Sequence, residues 1–312
     1  MPRPRLQPDG PGFSALSDRL RAHVGRLAGL LGPRHLGRPS ALDAAAAYIE
    51  REFGLMGDIA VREPYLVDGS EVANIVVERP GGAPTAPTVI LGAHYDTVPG
   101  TPGADDNASA VAVLIEAARL LRDRRAARTI RFVAFACEEP PHFYTDSMGS
   151  QVHARACRKR NETIAAMVCL EMVGYYTDAP QSQQVPDEIP RWLRRAFPSR
   201  GNFLASVGNL RSARIAWTFD RGFRRSSPLR LYSIALPERV HAIRLSDNGS
   251  FWDQGFPALM VTDTSFLRNP NYHLASDTPE TLDYRRMTQA AVGVAGGVAR
   301  LARCEVSSIA PT

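Results

Sequence analysis

Nowhere in this chain do about 18 apolar residues follow one another, the run a helix needs to cross a bilayer, so no membrane span and no membrane partner are expected. Cysteine is sparse. Cys137, Cys157, Cys169 and Cys304 form no CxxC pair, and Cys137 and Cys169 fall inside apolar strand-like runs where a thiol packs rather than bridges. A disulfide framework is therefore not expected. Met1 to Phe13 is rich in Pro, Gly and Arg and lacks the apolar stretch of a secretory signal. The expected location is the cytoplasm, unless an exporting segment once preceded Met1. Nucleic-acid motifs are missing too. The net charge of +5 and pI near 9.2 owe much to Arg191, Arg194, Arg195, Arg211, Arg214, Arg221, Arg224 and Arg225. These are spread over a long middle segment without the aromatic interleaving of an RNA-binding module. They read as a solvated surface, and no nucleic-acid partner is expected. A basic surface near an active site would favour acidic substrates.

What is present suffices for a large core: 312 residues, 44% of them hydrophobic. Residues 1–15 read as a disordered tail and 16–312 as one domain with an elaboration at about 175–245. Leu16 to Phe53 reads as helical, with Leu20, Val24, Leu27, Leu30 and Leu31 on one stripe and a break at Gly37-Arg38-Pro39. Val72 to Val77 is strand-like. Thr88–Ala93, Thr129–Ala136, Ile164–Leu170 and Pro257–Val261 are continuous apolar runs, as expected of strands buried on both faces. Asn107 to Leu121 reads as a helix opened by an Asp/Asn cap, Asp283 to Leu301 as a closing helix, and Ile189 to Ala196 as a helix within the elaboration. Alternating strands and helices predict an α/β fold: a three-layer sandwich whose mixed, largely parallel central sheet is flanked by helices.

Acidic and imidazole groups gather at the ends of these runs. His94 follows Thr88–Ala93, Glu138 and Glu139 follow Thr129–Ala136, and Glu171 closes Ile164–Leu170. In open α/β sheets ligands collect beyond the carboxyl ends of the strands, so three strands deliver candidate metal ligands to one edge. Asp96, two residues after His94, suits the carboxylate that orients a metal-bound imidazole. Asp105-Asp106 offers more acid than capping a helix requires, and one carboxylate there would bridge two cations. The adjacent acids Glu138-Glu139 divide naturally into a ligand and a proton acceptor. His273 has Asp277 close enough in sequence to be its orienting partner.

The set His94-Tyr95-Asp96, Gly103-Ala104-Asp105-Asp106-Asn107-Ala108-Ser109, Glu138-Glu139, Leu170-Glu171-Met172-Val173-Gly174 and Asn271-Tyr272-His273 resembles peptidase family M28. These zinc peptidases include aminopeptidases and, more distantly, glutaminyl cyclases. The resemblance covers roughly Gly92 to Tyr284. It implies two zinc ions, with one possible, bridged by Asp106. One is also held by His94 and Glu171, the other by Glu139 and His273. It further implies Glu138 as general base, Asp96 behind His94, a peptide substrate, and aminopeptidase activity through water that zinc activates. Departures stand out. Glu171 occupies a position that is usually Asp, Ala110 replaces a common Gly, and Pro140 to Ser150 lengthens a loop. Ser246-Asp247-Asn248 stands where Ser-Asp-His is frequent. A transferase of the glutaminyl-cyclase kind, using one zinc and an aromatic-lined pocket, and a non-catalytic binding homologue remain alternatives. Oligomeric state is not legible.

Overall fold

The computed structural model describes residues 10–305, apart from 84 and 190. Helix α1 (Pro11–Val24) opens on Pro11, whose fixed φ suits a first helical turn, and it buries Phe13 and Leu16. Residues 11–15 are thus helical rather than part of a tail, and residues 1–9 lie outside the described residues. Over Gly25–Leu31 the helix widens to i→i+5 bonding, as in Gly32 N–H to Leu27 O at 3.1 Å. That shift breaks the expected stripe: Leu20, Val24 and Leu27 are buried while Leu30 is 74% exposed. Helix α2 (Pro39–Gly54) follows.

Strands β1 (Ala60–Val67) and β2 (Ser70–Arg79) form a hairpin around Asp68-Gly69, both at positive φ, the chemistry of a two-residue hairpin turn. Nothing in the apolar pattern signals β1, because it is an edge strand with most side chains in solvent. Then come β3 (Thr88–His94), helix α3 (Ala110–Leu120), β4 (Thr129–Phe135), helix α4 (Gly149–Lys159) and β5 (Ile164–Glu171). The elaboration supplies α5 (Arg191–Arg194), β6 (Leu204–Asn209), α6 (Ala213–Ser226) and β7 (Leu231–Leu236). Helix α7 (Asn248–Asp253), β8 (Ala258–Thr262) and α8 (Tyr284–Leu301) complete the chain. The helix expected over Ile189 to Ala196 shrinks to α5, and α3 begins at Ala110 with no side-chain cap, so Asp105 to Asn107 are not its cap.

All eight strands join one sheet in the order β1-β2-β4-β3-β5-β8-β6-β7. β4, β3, β5 and β8 run parallel; β1–β2, β2–β4 and β8–β6 are antiparallel, and β6–β7 is parallel again. Period-2 alternation splits the buried strand residues between two cores. Val89, Leu91, Ala93, Phe132, Val168 and Leu170 face the layer of α1, α2, α3, α6 and α8. Ile90, Val133, Phe135, Met167 and Cys169 face the layer of α4 and α7. The result is the expected three-layer α/β fold. Gly222 on α6 lies against Gly296 and Gly297 on α8, where an added Cβ would come 2.8 Å from Gly297 Cα, so the two helices pack backbone to backbone.

Candidate metal centre

The carboxyl ends of β3, β4 and β5 meet at one point. His94 is the last residue of β3, Glu138 and Glu139 follow β4, and Glu171 is the last residue of β5. Cys137 (φ 55°) and Met172 (φ 45°), each next to a candidate ligand, lie in the left-handed region, as does His273 (φ 60°). Such conformations cost on the order of 1–3 kcal/mol and cluster at functional sites. Asp106 arrives on a kinked turn between Gly103 and Ser109, with φ −103° and ψ 89°. Gly103 has φ 63°, and a side chain there would strike the Asp106 carbonyl.

Asp106 lies between two groups, one at each of its oxygens. His94 Nε2 is 3.3 Å from Asp106 Oδ1 and 3.4 Å from Glu171 Oε2. On the other side His273 Nε2 is 3.2 Å from Asp106 Oδ2 and 3.3 Å from Glu139 Oε2. Zinc holds N and O ligands at about 2.0–2.2 Å, and the tetrahedral angle then separates ligand atoms by about 3.3–3.6 Å. All four imidazole-to-carboxylate contacts lie at or just under that spacing, that of the longer Glu171 included. A third grouping, His94 with Glu138 and Glu139, also lies close enough to share an ion. Glu138 Oε2, however, stands 3.8 Å from His94 Nε2, wider than any of those four contacts. Buried Asp106 Oδ1, Glu139 Oε1 and His273 Nε2 have no hydrogen-bond partner among the described residues. Buried polar atoms are normally satisfied, so donor atoms left open toward one another fit a cation site.

The surrounding contacts explain how the groups stay in place. Asp96 Oδ1 lies 3.5 Å from His94 Nδ1, and its two oxygens accept the Glu138 and Glu139 backbone N–H groups at 3.0 and 3.1 Å. It therefore serves both strand ends at once. Asp277 is not the partner of His273. Its carboxylate accepts the backbone N–H of Asp105 at 2.9 Å and of Asp106 at 3.1 Å, fixing the Asp106 turn instead. The Asp105 carboxylate accepts from Gly174 N–H at 2.8 Å and Asn269 Nδ2 at 2.7 Å, facing away from both triads into buried Asp263. Asn107 ties the turn to β5, donating to Leu170 O and accepting from Met172 N–H. Ser246 Oγ donates to Glu171 Oε2 at 2.6 Å. Arg34, fully buried, donates to the carbonyls of Leu27, Gly32, Tyr95, Pro102 and Gly103 and so braces the loop between His94 and Asp106. Sequence reasoning passes over Arg34 because nothing near it in the chain bears on the site.

Four carboxylates and two imidazoles in one buried volume perturb each other strongly. Burial pushes Glu138 well above the usual range, against the pull of His94 and with help from Glu171 and Glu139. Burial and the Asp106 charge push Glu139 up to about 8. Asp106 behaves oppositely: despite burial, the adjacent His273 and His94 imidazoles hold it below the usual carboxylate range. Burial disfavours the imidazolium forms, yet Glu138 and Glu171 raise His94 well above its ordinary value. Asp106 and Glu139 likewise raise His273 to about 10. This much acid in low dielectric calls for more positive charge than two imidazoles supply, the condition a divalent cation meets.

The centre opens into a cavity of about 680 Å³. Apart from tyrosines, its only ionisable lining groups among the described residues are Asp106, Glu138, Glu139, Glu171 and His273. No arginine among the described residues lines it, so those of the basic middle segment do not shape the cavity for acidic substrates; α6 turns Arg214, Arg221, Arg224 and Arg225 to solvent instead. The expected lengthened loop contributes Pro140 and Phe143 to the wall.

Residues 74–296 match the model of peptidase family M28. The uncharacterised protein YfbL of Escherichia coli (strain K12) is 37% identical over 288 residues, covering 90% of this chain and 87% of its own. Leucine aminopeptidase 1 of Trichophyton equinum is 29% identical over 244 residues; the match takes in 74% of this chain and 58% of that protein. A zinc aminopeptidase from Bacillus subtilis superposes with a TM-score of 0.71 at 15% identity, over 91% of this chain and 94% of that one. A glutaminyl cyclase from Porphyromonas gingivalis does so with a TM-score of 0.64 at 19% identity, over 90% and 97%. At those identities the two structures speak for the fold alone. With the family match spanning most of the sheet and all the candidate ligands, this chain belongs to peptidase family M28.

Proposed function

We propose that the protein is a zinc-dependent aminopeptidase that hydrolyses the peptide bond after a free N-terminal residue. The observation carrying this reading is Asp106, whose Oδ1 belongs to the His94–Glu171 group and whose Oδ2 belongs to the Glu139–His273 group. These five residues would hold two zinc ions. Bound there, zinc supplies a Lewis acid that polarises a carbonyl and lowers the pKa of water from about 15.7 toward about 7.

The chain's own residues supply the rest. Glu138 lines the cavity and stands farther from His94 than Asp106 or Glu171 does, which suits its carboxylate to accept a proton from the attacking water. The same oxygen then returns that proton to the departing amine nitrogen. Asp96, by accepting the backbone N–H groups of both Glu138 and Glu139, keeps base and ligand in register. The described lining is acidic and carries no cation to seat a substrate carboxylate. That asymmetry favours an aminopeptidase over a carboxypeptidase.

Glu138→Gln is expected to retain zinc and lose about 100-fold or more in kcat, in line with removal of a general base. Near-wild-type turnover with normal zinc content would remove Glu138 from this role. One observation favours a second reading: aromatic side chains line the cavity, as a glutaminyl cyclase would need. Pyroglutamate formed from a glutaminyl peptide, at a zinc-to-chain ratio near one, would decide for that transferase.

A further inference from the structure

The wall of the cavity away from the metal centre is built by the elaborated edge of the sheet. Phe203, just before β6, and Ala205 and Val207 within it recur every second residue, and so do Tyr232, Ile234 and Leu236 along β7. In a strand such residues share one face, so a single sheet surface paves this end of the cavity. It carries no charge. Phe203 and Tyr232 meet edge to face with ring centroids 4.9 Å apart, and small Ala205 leaves open space beside them. Toward the centre, Tyr272 stacks on His273 at 3.7 Å, and Phe266 packs 5.8 Å from Tyr272. The volume of about 680 Å³ is several times the roughly 150 Å³ of an apolar cavity that holds one benzene ring. A leucine side chain leaves most of such a space unfilled, whereas a large aromatic group occupies more of it and meets ring partners on two sides.

We propose that the enzyme prefers substrates with a large aromatic N-terminal residue, tryptophan or larger, over leucine and alanine. This rests on the aminopeptidase reading above. The N-terminal backbone and scissile carbonyl lie beside the His94–Asp106–Glu138 end, and the aromatic side chain lies across Ala205 and Val207 against Phe203 and Tyr232. The reaction is hydrolysis: water adds to the carbonyl carbon, the C–N bond breaks, and the proton taken from water leaves on the released amine.

The test uses the full chain loaded with zinc and p-nitroanilides of alanine, leucine, phenylalanine, tryptophan and biphenylalanine, each free and N-acetylated. For the free series kcat/KM is expected to rise in that order, with tryptophan at least about 10-fold above leucine, as apolar-pocket discrimination allows. In Val207→Trp, which narrows the cavity at this wall, the tryptophan-to-alanine ratio should fall by about 10-fold or more, mainly through KM. Should that variant not fold, Tyr232→Ala, on a half-exposed edge position, should lower the same ratio by removing one ring partner. Turnover that favours leucine or alanine over tryptophan, or a ratio unmoved in a folded variant, would overturn the inference and leave the aminopeptidase reading intact. Absence of turnover on every free substrate would refute both.

Discussion

Replacing Asp277 by alanine removes the one carboxylate that holds the Asp105–Asp106 backbone. Asp277 is fully buried, and its oxygens accept two main-chain N–H groups through contacts of 2.9, 3.1 and 3.2 Å. Hydrogen bonds to a charged acceptor contribute roughly 1.5–3 kcal/mol each, so two donors left without it point to about 3–6 kcal/mol. An opposing effect reduces this. Burial and the neighbouring Asp105 charge push the Asp277 carboxyl up to about 7, so its removal also relieves repulsion among crowded acids. The net destabilisation should be about 2–3 kcal/mol, within the usual cost of breaking a buried polar network. Because the freed turn carries Asp106, zinc should bind about 10- to 100-fold more weakly, the usual effect of losing a group behind a ligand. Competition with a chromophoric chelator measures the affinity, and urea unfolding measures the stability. Asp277→Asn, which keeps one acceptor oxygen, should lie between wild type and Asp277→Ala in both. Zinc affinity within about threefold of wild type, with an unchanged unfolding midpoint in Asp277→Ala, would refute the claim that Asp277 places Asp106.

Two further outcomes concern regions behind the centre. Arg34→Met should cost about 3–5 kcal/mol in urea unfolding, since it strands buried carbonyls that a charged donor now satisfies; a change below about 0.5 kcal/mol would remove Arg34 from its bracing role. Burial alone would raise Glu116, but His23 and Arg19 outweigh it and depress the carboxyl from 4.5 to about 2. A depressed acid stabilises the fold above its unfolded pKa and loses that contribution as pH falls through the folded one. Glu116→Gln should therefore be about 3 kcal/mol less stable than wild type at pH 7, and the gap should close between about pH 4.5 and pH 2. A gap that stays constant on acidification would contradict the pairing.

The central strands and the gathering of candidate ligands at their ends were legible because their signals are local. Thr88–Ala93, Thr129–Ala136 and Ile164–Leu170 are unbroken apolar runs, and each delivers an acid or imidazole within two residues of its end. The contacts that hold those ligands are not local. Asp277 lies 171 positions from Asp106, Asn269 lies 164 from Asp105, and Arg34 lies 69 from Gly103. Proximity in sequence paired Asp277 with His273, whereas folding brings it to the Asp106 turn. Strand β1 escaped the pattern because an edge strand is only partly buried, and Asp68-Gly69 was its one signal. The helix expected over Ile189 to Ala196 is present only as Arg191–Arg194. The helical start expected at Asn107 moves to Ala110, as contacts with Asp277, Leu170 and Met172 hold Asp105 to Asn107 in a turn.

The count of zinc ions per chain tests the account most directly, measured by elemental analysis on protein dialysed against buffered zinc. The shared Asp106 predicts two ions per wild-type chain, one in His273→Ala and at most one in Asp106→Ala. A wild-type ratio that does not exceed one under zinc excess, unchanged in His273→Ala, would contradict a two-ion centre built on Asp106.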